Sequence, residues 1–204
     1  MAGSARLIEA IETLGQTLAH RNRRVELAVV GGAALLLQNL IFRSTLDMDV
    51  IAVISDGGQW EESGSLPDFL VTAVRDVAEA LDLPRQPGDE KDWLDAGPGI
   101  LMQLGLPPGF RERMTVERFG GLTLHIASRV DLIHLKFWSA TDPARGARRE
   151  VDVEDLRTLA PTAGELYAAL AWCAKMDGRR DFISVNAAPV LRRLGFPVGE
   201  MKDE

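Results

Sequence analysis

The sequence predicts a mixed α/β fold followed by an all-helical region, and three observations lead there. Helical and strand-like patterns alternate through the first 135 residues. Two short strand-like runs flank Gly120-Gly121, which is a hairpin signature. From Arg129 onward only helical periodicity remains. The expected organisation is a core over residues 1–135 with a helical region over 136–204 packed on it.

Leu7, Ile8, Ile11, Leu14 and Leu18 step by three and four, so residues 5–20 form an amphipathic helix. "RNRR" is a polar turn. "VELAVVGG" is apolar, rich in β-branched residues and closed by two glycines, which reads as a buried strand ending in a tight turn. "AALLLQNLIF" has strong helix propensity, and "DMDVIAVI" returns to strand. "SDGGQWEESGS" reads as a loop. Phe69, Leu70, Ala73, Val74, Val77, Ala78 and Leu81 share one face of a helix over 67–82. Residues 84–110 are dense in proline and glycine and read as an irregular insertion with a short helix at "ILMQLG". "RMTVERFGGLTLHIAS" is the hairpin. Helices then follow over 129–140, 150–160, 163–175 and 185–194.

Composition bounds the function. A net charge of −7 argues against a general duplex-coating protein. The single Cys173 forbids an internal disulfide and a thiolate metal cluster. Glu9 and Glu12 interrupt any signal-peptide core, and no run of eighteen apolar residues spans a membrane. A cytoplasmic setting is expected.

The chemistry lies in "VVGGAALLLQNLIFRSTLDMDVIAV", residues 29–53. Asp47 and Asp49 sit two apart in an apolar, strand-forming stretch, so both carboxylates share one face. Two like charges about 4 Å apart repel by about 4 kcal/mol at an effective dielectric near 20. A divalent cation removes that penalty. Hard oxygen donors suit Mg²⁺ (or Mn²⁺), which keeps waters and takes further ligands from substrate phosphates. Gly31 and Gly32 let the backbone approach a phosphate closely at the start of the helix. An Asp-x-Asp alone carries little information. Its weight comes from the order strand, Gly-Gly, helix, Arg43-x-Thr45-x-Asp47-x-Asp49, strand.

These residues resemble the nucleotidyltransferase superfamily with a polymerase β-like core, whose signature is a Gly-Gly or Gly-Ser turn, a helix, then Asp-x-Asp on a strand. Within it the chain is similar to AbiEii-type toxins and their uncharacterised relatives. Gly31, Gly32, Ala34, Arg43 and Thr45 match that group's first motifs. "DLIHLKFWSATDPARGARREVDVEDL" matches a later one through Lys136, Ala140, Arg145, Arg148 or Arg149, Asp152, Asp155 and Leu156. "DWLDAG" with "GLPPGFRER" is similar to one uncharacterised branch. The resemblance implies a nucleotidyltransferase-type mixed sheet flanked by helices. It implies a nucleoside triphosphate substrate held at Gly31, Gly32, Ala33, Arg43, Thr45 and Lys136. Catalytic roles fall to Asp47, Asp49, Lys136, Asp152 and Asp155, with Asp47 and Asp49 as metal ligands. It also implies transfer of a nucleotide to an acceptor hydroxyl, with a tRNA 3′ end as acceptor and an antitoxin as protein partner.

Three departures from the pattern stand out. Ala33 replaces a Ser or Thr, the Gly-to-Asp spacing is long, and the strand "LTLHIA" offers His125 where a third carboxylate is usual. The AbiEii-like pattern allows the remaining acid to come from a helix instead, as Asp152 or Asp155. Asp152 and Asp155 share a helix face, so one completes the site while the other binds Arg145 or Arg148; the competing reading is a solvated helix N-terminus. Lys136 reads either as a phosphate contact or as a snorkelling lysine. Arg43 reads as a triphosphate ligand or as the neutraliser of Asp47 or Asp49. Ten Lys or Arg and eleven Asp or Glu lie in 141–204, so the arginines there read as an RNA-backbone groove or as ordinary surface charge. Two further functions remain open: transfer to a small molecule or protein, and a catalytically reduced nucleotide-binding or partner subunit.

Overall fold

The computed structural model describes residues 2–41, 43, 45, 47–64, 66–83 and 93–196, with side chains from residue 5 onward. The start of the insertion, residues 84–92, lies outside the described residues. The chain divides into two compact units, Met1–Ser128 and Arg129–Glu204. The sequence-based division after residue 135 falls inside the first helix of the second unit.

The first unit is a six-stranded mixed sheet with helices. Its strands are β1 (Val25–Val30), β2 (Met48–Ile54), β3 (Trp60–Glu62), β4 (Leu94–Asp95), β5 (Thr115–Phe119) and β6 (Leu122–Ile126). The order is β3-β2-β1-β6-β5, with β4 also beside β2. β1 is central because it is the most continuously apolar run; every residue but Glu26 is buried. It pairs antiparallel with β2 and parallel with β6. The half-buried Glu26 is satisfied by His125 of β6, Nε2 to Oε2 2.7 Å.

The helices are α1 (Ala2–His20), α2 (Gly31–Leu37), α3 (Asp68–Ala80) and the single turn α4 (Leu101–Leu104). Leu7, Ile11, Leu14 and Leu18 of α1 are buried, as their spacing requires. α2 is shorter than its propensity suggests. It stops at Leu37 because Asn39 turns left-handed at φ 57°. The Gln38 side chain then donates to the Ala127 carbonyl at 2.8 Å.

Two features were not visible as periodicity. β3 forms inside the segment read as a loop, because Ser55 and Gln59 close a turn through Gly58 at φ 74° and three residues suffice to pair with β2. The β1–β2 register also slips by one residue between Ala28/Val29. Ala28 faces Ala52 but Val29 faces Val50, so Ile51 is the extra residue of a β-bulge. The buried Ser63 hydroxyl lies 2.7 Å from the Val50 carbonyl oxygen and 3.0 Å from that of Ala96 and shares its one proton between them, tying the β4 segment to the bulged strand.

The second unit contains α5 (Arg129–Thr141), α6 (Arg148–Leu159), α7 (Ala163–Asp177) and α8 (Ala188–Arg193). A π-helical turn, Ile183–Ala187, leads into α8. Pro189 explains it: its ring has no N–H to donate four residues back, so the turn widens. Trp138 packs against Trp172 and Phe182, which makes these rings core rather than stacking platforms. Burial pushes the Cys173 thiol far above its ordinary range, so it is not a nucleophile at neutral pH. α7 opens with a capping box: Thr162 accepts from the Glu165 amide, and Glu165 accepts from the Thr162 amide at 2.8 Å. Among the described residues no helix is long and apolar enough to cross a membrane.

Two predictions follow from this packing. A Cβ on Gly15 would sit 1.8 Å from the Phe119 carbonyl oxygen, so α1 touches the β5 backbone there. Gly15→Ala is expected to lower stability by about 1–3 kcal/mol, read as a reduced urea midpoint; an unchanged midpoint contradicts the close contact. The Arg129 guanidinium, 2.6 Å from Glu165, holds that carboxyl below its usual range. A depressed folded pKa gives stability that is present above the unfolded value and lost as pH falls through the folded one. Glu165→Gln should therefore cost about 1 kcal/mol at neutral pH, and the gap in Tm from the parent should close on acidification. A gap that does not narrow at all on acidification would contradict this linkage.

Candidate functional site

The site is built where β1 ends and β2 begins. The bulge at Ile51 sets Val30 opposite Asp49, so the chain turns into α2 directly beside that carboxylate. Gly31 takes φ +70°, a conformation that L side chains rarely adopt. A Cβ on Gly31 would lie 1.7 Å from Asp49 Oδ2, so the acid occupies the space a side chain would need. A Cβ on Gly32 would lie 2.6 Å from Thr45 Oγ1 and 3.4 Å from Arg43 Nη2. Both glycines are therefore required by close approach of polar groups.

The acids are less buried than the apolar sequence around them implies. Asp47 is exposed and lies one residue before β2 rather than within it. Asp49 is on β2 and half-buried. The reason is topological: the ladder begins at Met48, whose N–H donates to the Trp93 carbonyl at 2.7 Å, and Asp47 stands outside it. Solvent thus relieves part of the repulsion that a buried doublet would suffer. Thr45 Oγ1 donates to Asp47 Oδ1 over 3.4 Å, a long contact. Arg43, Asp49 and Asp95 are each engaged by a partner.

Ala33 does not reach this surface; it is fully buried. α2 is only two turns long, so the backbone of the glycine turn matters more here than a helix dipole.

One acid escaped sequence reasoning. Asp95 of β4 is the direct register partner of Asp49 in a parallel pair, which puts the two side chains on the same sheet face. Asp95 Oδ1 also accepts from the Gly97 amide at 2.8 Å. The only signal in the sequence was "DWLDAG" within a proline- and glycine-dense stretch, and a two-residue strand leaves no periodicity to detect. Among the described residues no three His, Cys, Asp or Glu side chains form a metal cage.

Lys136, Asp152 and Asp155 belong to the second unit, and there they come together. Lys136 Nζ lies 2.8 Å from Asp152 Oδ1 and 2.8 Å from Asp155 Oδ2. Arg145 Nε bonds the other Asp152 oxygen at 2.9 Å. Both carboxylates are about 1% exposed. Two acids and two bases cancel, which is what permits such burial. Asp152 thus binds Arg145 while both acids hold the lysine. Arg149 instead donates to the Ala140 carbonyl at 2.8 Å, capping the end of α5. The outer arginines pair locally: Arg193 with Glu150, Arg157 with Glu154, Arg179 with Asp177. Glu150 and Asp177 are held below the usual carboxylate range by these guanidiniums.

A six-stranded mixed sheet flanked by helices, with a glycine turn abutting a strand-borne carboxylate, is consistent with a domain of the nucleotidyltransferase type. The chain belongs to the DUF6036 family, described as a nucleotidyltransferase of unknown function, and residues 5–170 match it. The match runs through the whole sheet and through α5 and α6, so the buried lysine cluster falls within it. Comparison with curated proteins and with solved structures returned no match.

Removing Lys136 leaves two buried carboxylates with one cation. Lys136→Met is expected to destabilise the protein by about 3–5 kcal/mol, read as a fall in denaturant midpoint. A loss below about 1 kcal/mol, the scale of an exposed ion pair, would show that the cluster is solvated.

Proposed function

We propose that the protein transfers a nucleotide from a nucleoside triphosphate to an acceptor hydroxyl, using the β1–α2 turn and the acids of β2. The observation that carries this reading is the contact of Gly31 with Asp49: a carboxylate oxygen held against the backbone of the glycine turn. Asp47 and Asp49 supply hard oxygen donors for Mg²⁺. Two side-chain carboxylates fit an ion that arrives with a triphosphate and completes its shell with water and phosphate oxygens, rather than one caged by protein alone. When bound, Mg²⁺ or Mn²⁺ would neutralise phosphate charge and polarise the phosphorus under attack.

Gly31 and Gly32 would let the phosphates approach the backbone, and Asp47 and Asp49 would hold the cation that accompanies them. The acceptor hydroxyl attacks the α-phosphorus, its proton passes to a carboxylate of the site, and the α–β bridging bond breaks to release pyrophosphate. Following the AbiEii-type resemblance, the first acceptor to test is a tRNA 3′ end, and the first protein partner an antitoxin. A second reading is nucleotide binding without turnover. It is favoured by the lack of a three-acid metal group among the described residues.

Incubation with labelled triphosphates, Mg²⁺ and tRNA tests the proposal. Transfer and pyrophosphate release are expected, and EDTA should abolish both. Asp47→Ala with Asp49→Ala should cost at least about a thousandfold in rate, the scale of several kcal/mol of charge stabilisation. Retained transfer in that double variant would overturn the assignment. Binding of Mg²⁺-triphosphate with no pyrophosphate release from tRNA, small hydroxylated molecules or proteins would favour the second reading.

A further inference from the structure

The register of β1 with its two neighbours puts a histidine on the sheet face that carries Asp49. Val30 is opposite Asp49 of β2, and two residues earlier on β1, Ala28 is beside His125 of β6. Register partners share a face, and so do strand residues two apart. Asp49, His125 and Glu26 therefore project from one side of the sheet. His125 and Asp49 stand two strands apart and two residues apart along them, which separates their Cα atoms by about 12 Å.

Folding alone does not call for the contact between Glu26 and His125. Glu26 interrupts the most apolar strand of the sheet, and its side chain is 47% exposed. A carboxylate–imidazole contact so open to solvent adds little to stability. It does fix the chemistry of the ring. Nε2 lies 2.7 Å from Glu26 Oε2, and a carboxylate only accepts, so Nε2 carries the proton. In the neutral ring Nδ1 then holds a lone pair, and among the described residues it has no hydrogen-bond partner. The side chain is 23% exposed, which leaves the ring open to approach. An imidazole oriented through one nitrogen can take up a proton at the other, with the carboxylate steadying the imidazolium that forms.

We propose that His125 is the general base toward the acceptor hydroxyl and that Glu26 is the residue that orients it. This inference rests on the nucleotidyltransferase reading, and the base becomes an imidazole backed by a carboxylate instead of a carboxylate alone. The acceptor O–H gives its proton to Nδ1 as its oxygen forms a bond to the α-phosphorus. The α–β bridging bond breaks, and its electron pair leaves with pyrophosphate. A near-attack separation of about 3–3.5 Å and a hydrogen bond of about 3 Å account for half of the span between His125 and Asp49, and the phosphate with its cation for the rest.

One arm of the test needs no substrate. Nitrogen NMR of the full chain at about pH 8, above the ordinary imidazole range, is expected to show the Nε2–H tautomer at His125, with His125→Gln supplying the assignment. Glu26→Ala should relax that preference. An Nδ1–H tautomer in the wild type overturns the proposal. The second arm reads pyrophosphate release from the four ribonucleoside triphosphates with Mg²⁺ and tRNA. His125→Ala should lower kcat by about a hundred- to ten-thousandfold and leave the triphosphate KM nearly unchanged. Added imidazole should restore part of that kcat, and none in Asp47→Ala with Asp49→Ala. Glu26→Ala should give a smaller loss. A merely structural role for His125 would shift Tm and KM and would not respond to imidazole. Wild-type kcat in His125→Ala, or a loss that imidazole leaves untouched, sinks this inference while the transfer reading stands. If the wild type releases no pyrophosphate with tRNA, small hydroxylated molecules or proteins, the transfer reading fails and the base assignment with it.

Discussion

The pairing of β1 with β2 governs everything at the site. β1 is buried on both sides of its backbone ladder, so its register is fixed by apolar packing rather than by the polar residues at its end. One extra residue, Ile51, shifts that register and brings Val30 opposite Asp49. The chain then has to turn into α2 against a carboxylate, and only glycine has room to do so. A packing constraint in the core thus sets the chemistry at the surface.

The same economy explains how the first unit tolerates its acids. Asp47 is left outside the ladder, Asp49 stands half-exposed on it, and Asp95 joins from a strand just long enough to reach. Ser63 satisfies the backbone carbonyls of Val50 and Ala96 where the bulged strand and the β4 segment meet. The sheet edge near the site is therefore assembled from short pieces held by side-chain hydrogen bonds. Short pieces can present polar groups without disturbing the long apolar strands behind them.

The helical unit solves a similar problem in the opposite way. Instead of leaving charges in water, it buries Asp152 and Asp155 around Lys136 and closes the set with Arg145. The attraction within such a cluster is offset by the cost of removing its charges from water. The cluster also makes the lysine difficult to replace, since each member is the compensation for another.

Much of the fold was legible in the residues themselves. Period-3.6 spacing marked α1, α3 and the helices after Arg129, because each buries one stripe against a core. Alternation around Gly120-Gly121 marked the hairpin, and "VVGG" before "DMD" marked the glycine turn and its acids. Lys136, Asp152 and Asp155 were visible as a motif, but not that they bind one another. The bulge, β3, β4 and the register partnership of Asp95 with Asp49 left no periodicity in the sequence. Those features depend on which strands lie side by side, and elements of two or three residues are too short to carry a period. Local spacing determined which segments are helices and strands and where the glycines and acids fall. Tertiary pairing alone decided which acid meets which glycine, because non-local contacts are set by packing of the whole core and not by neighbours in the chain.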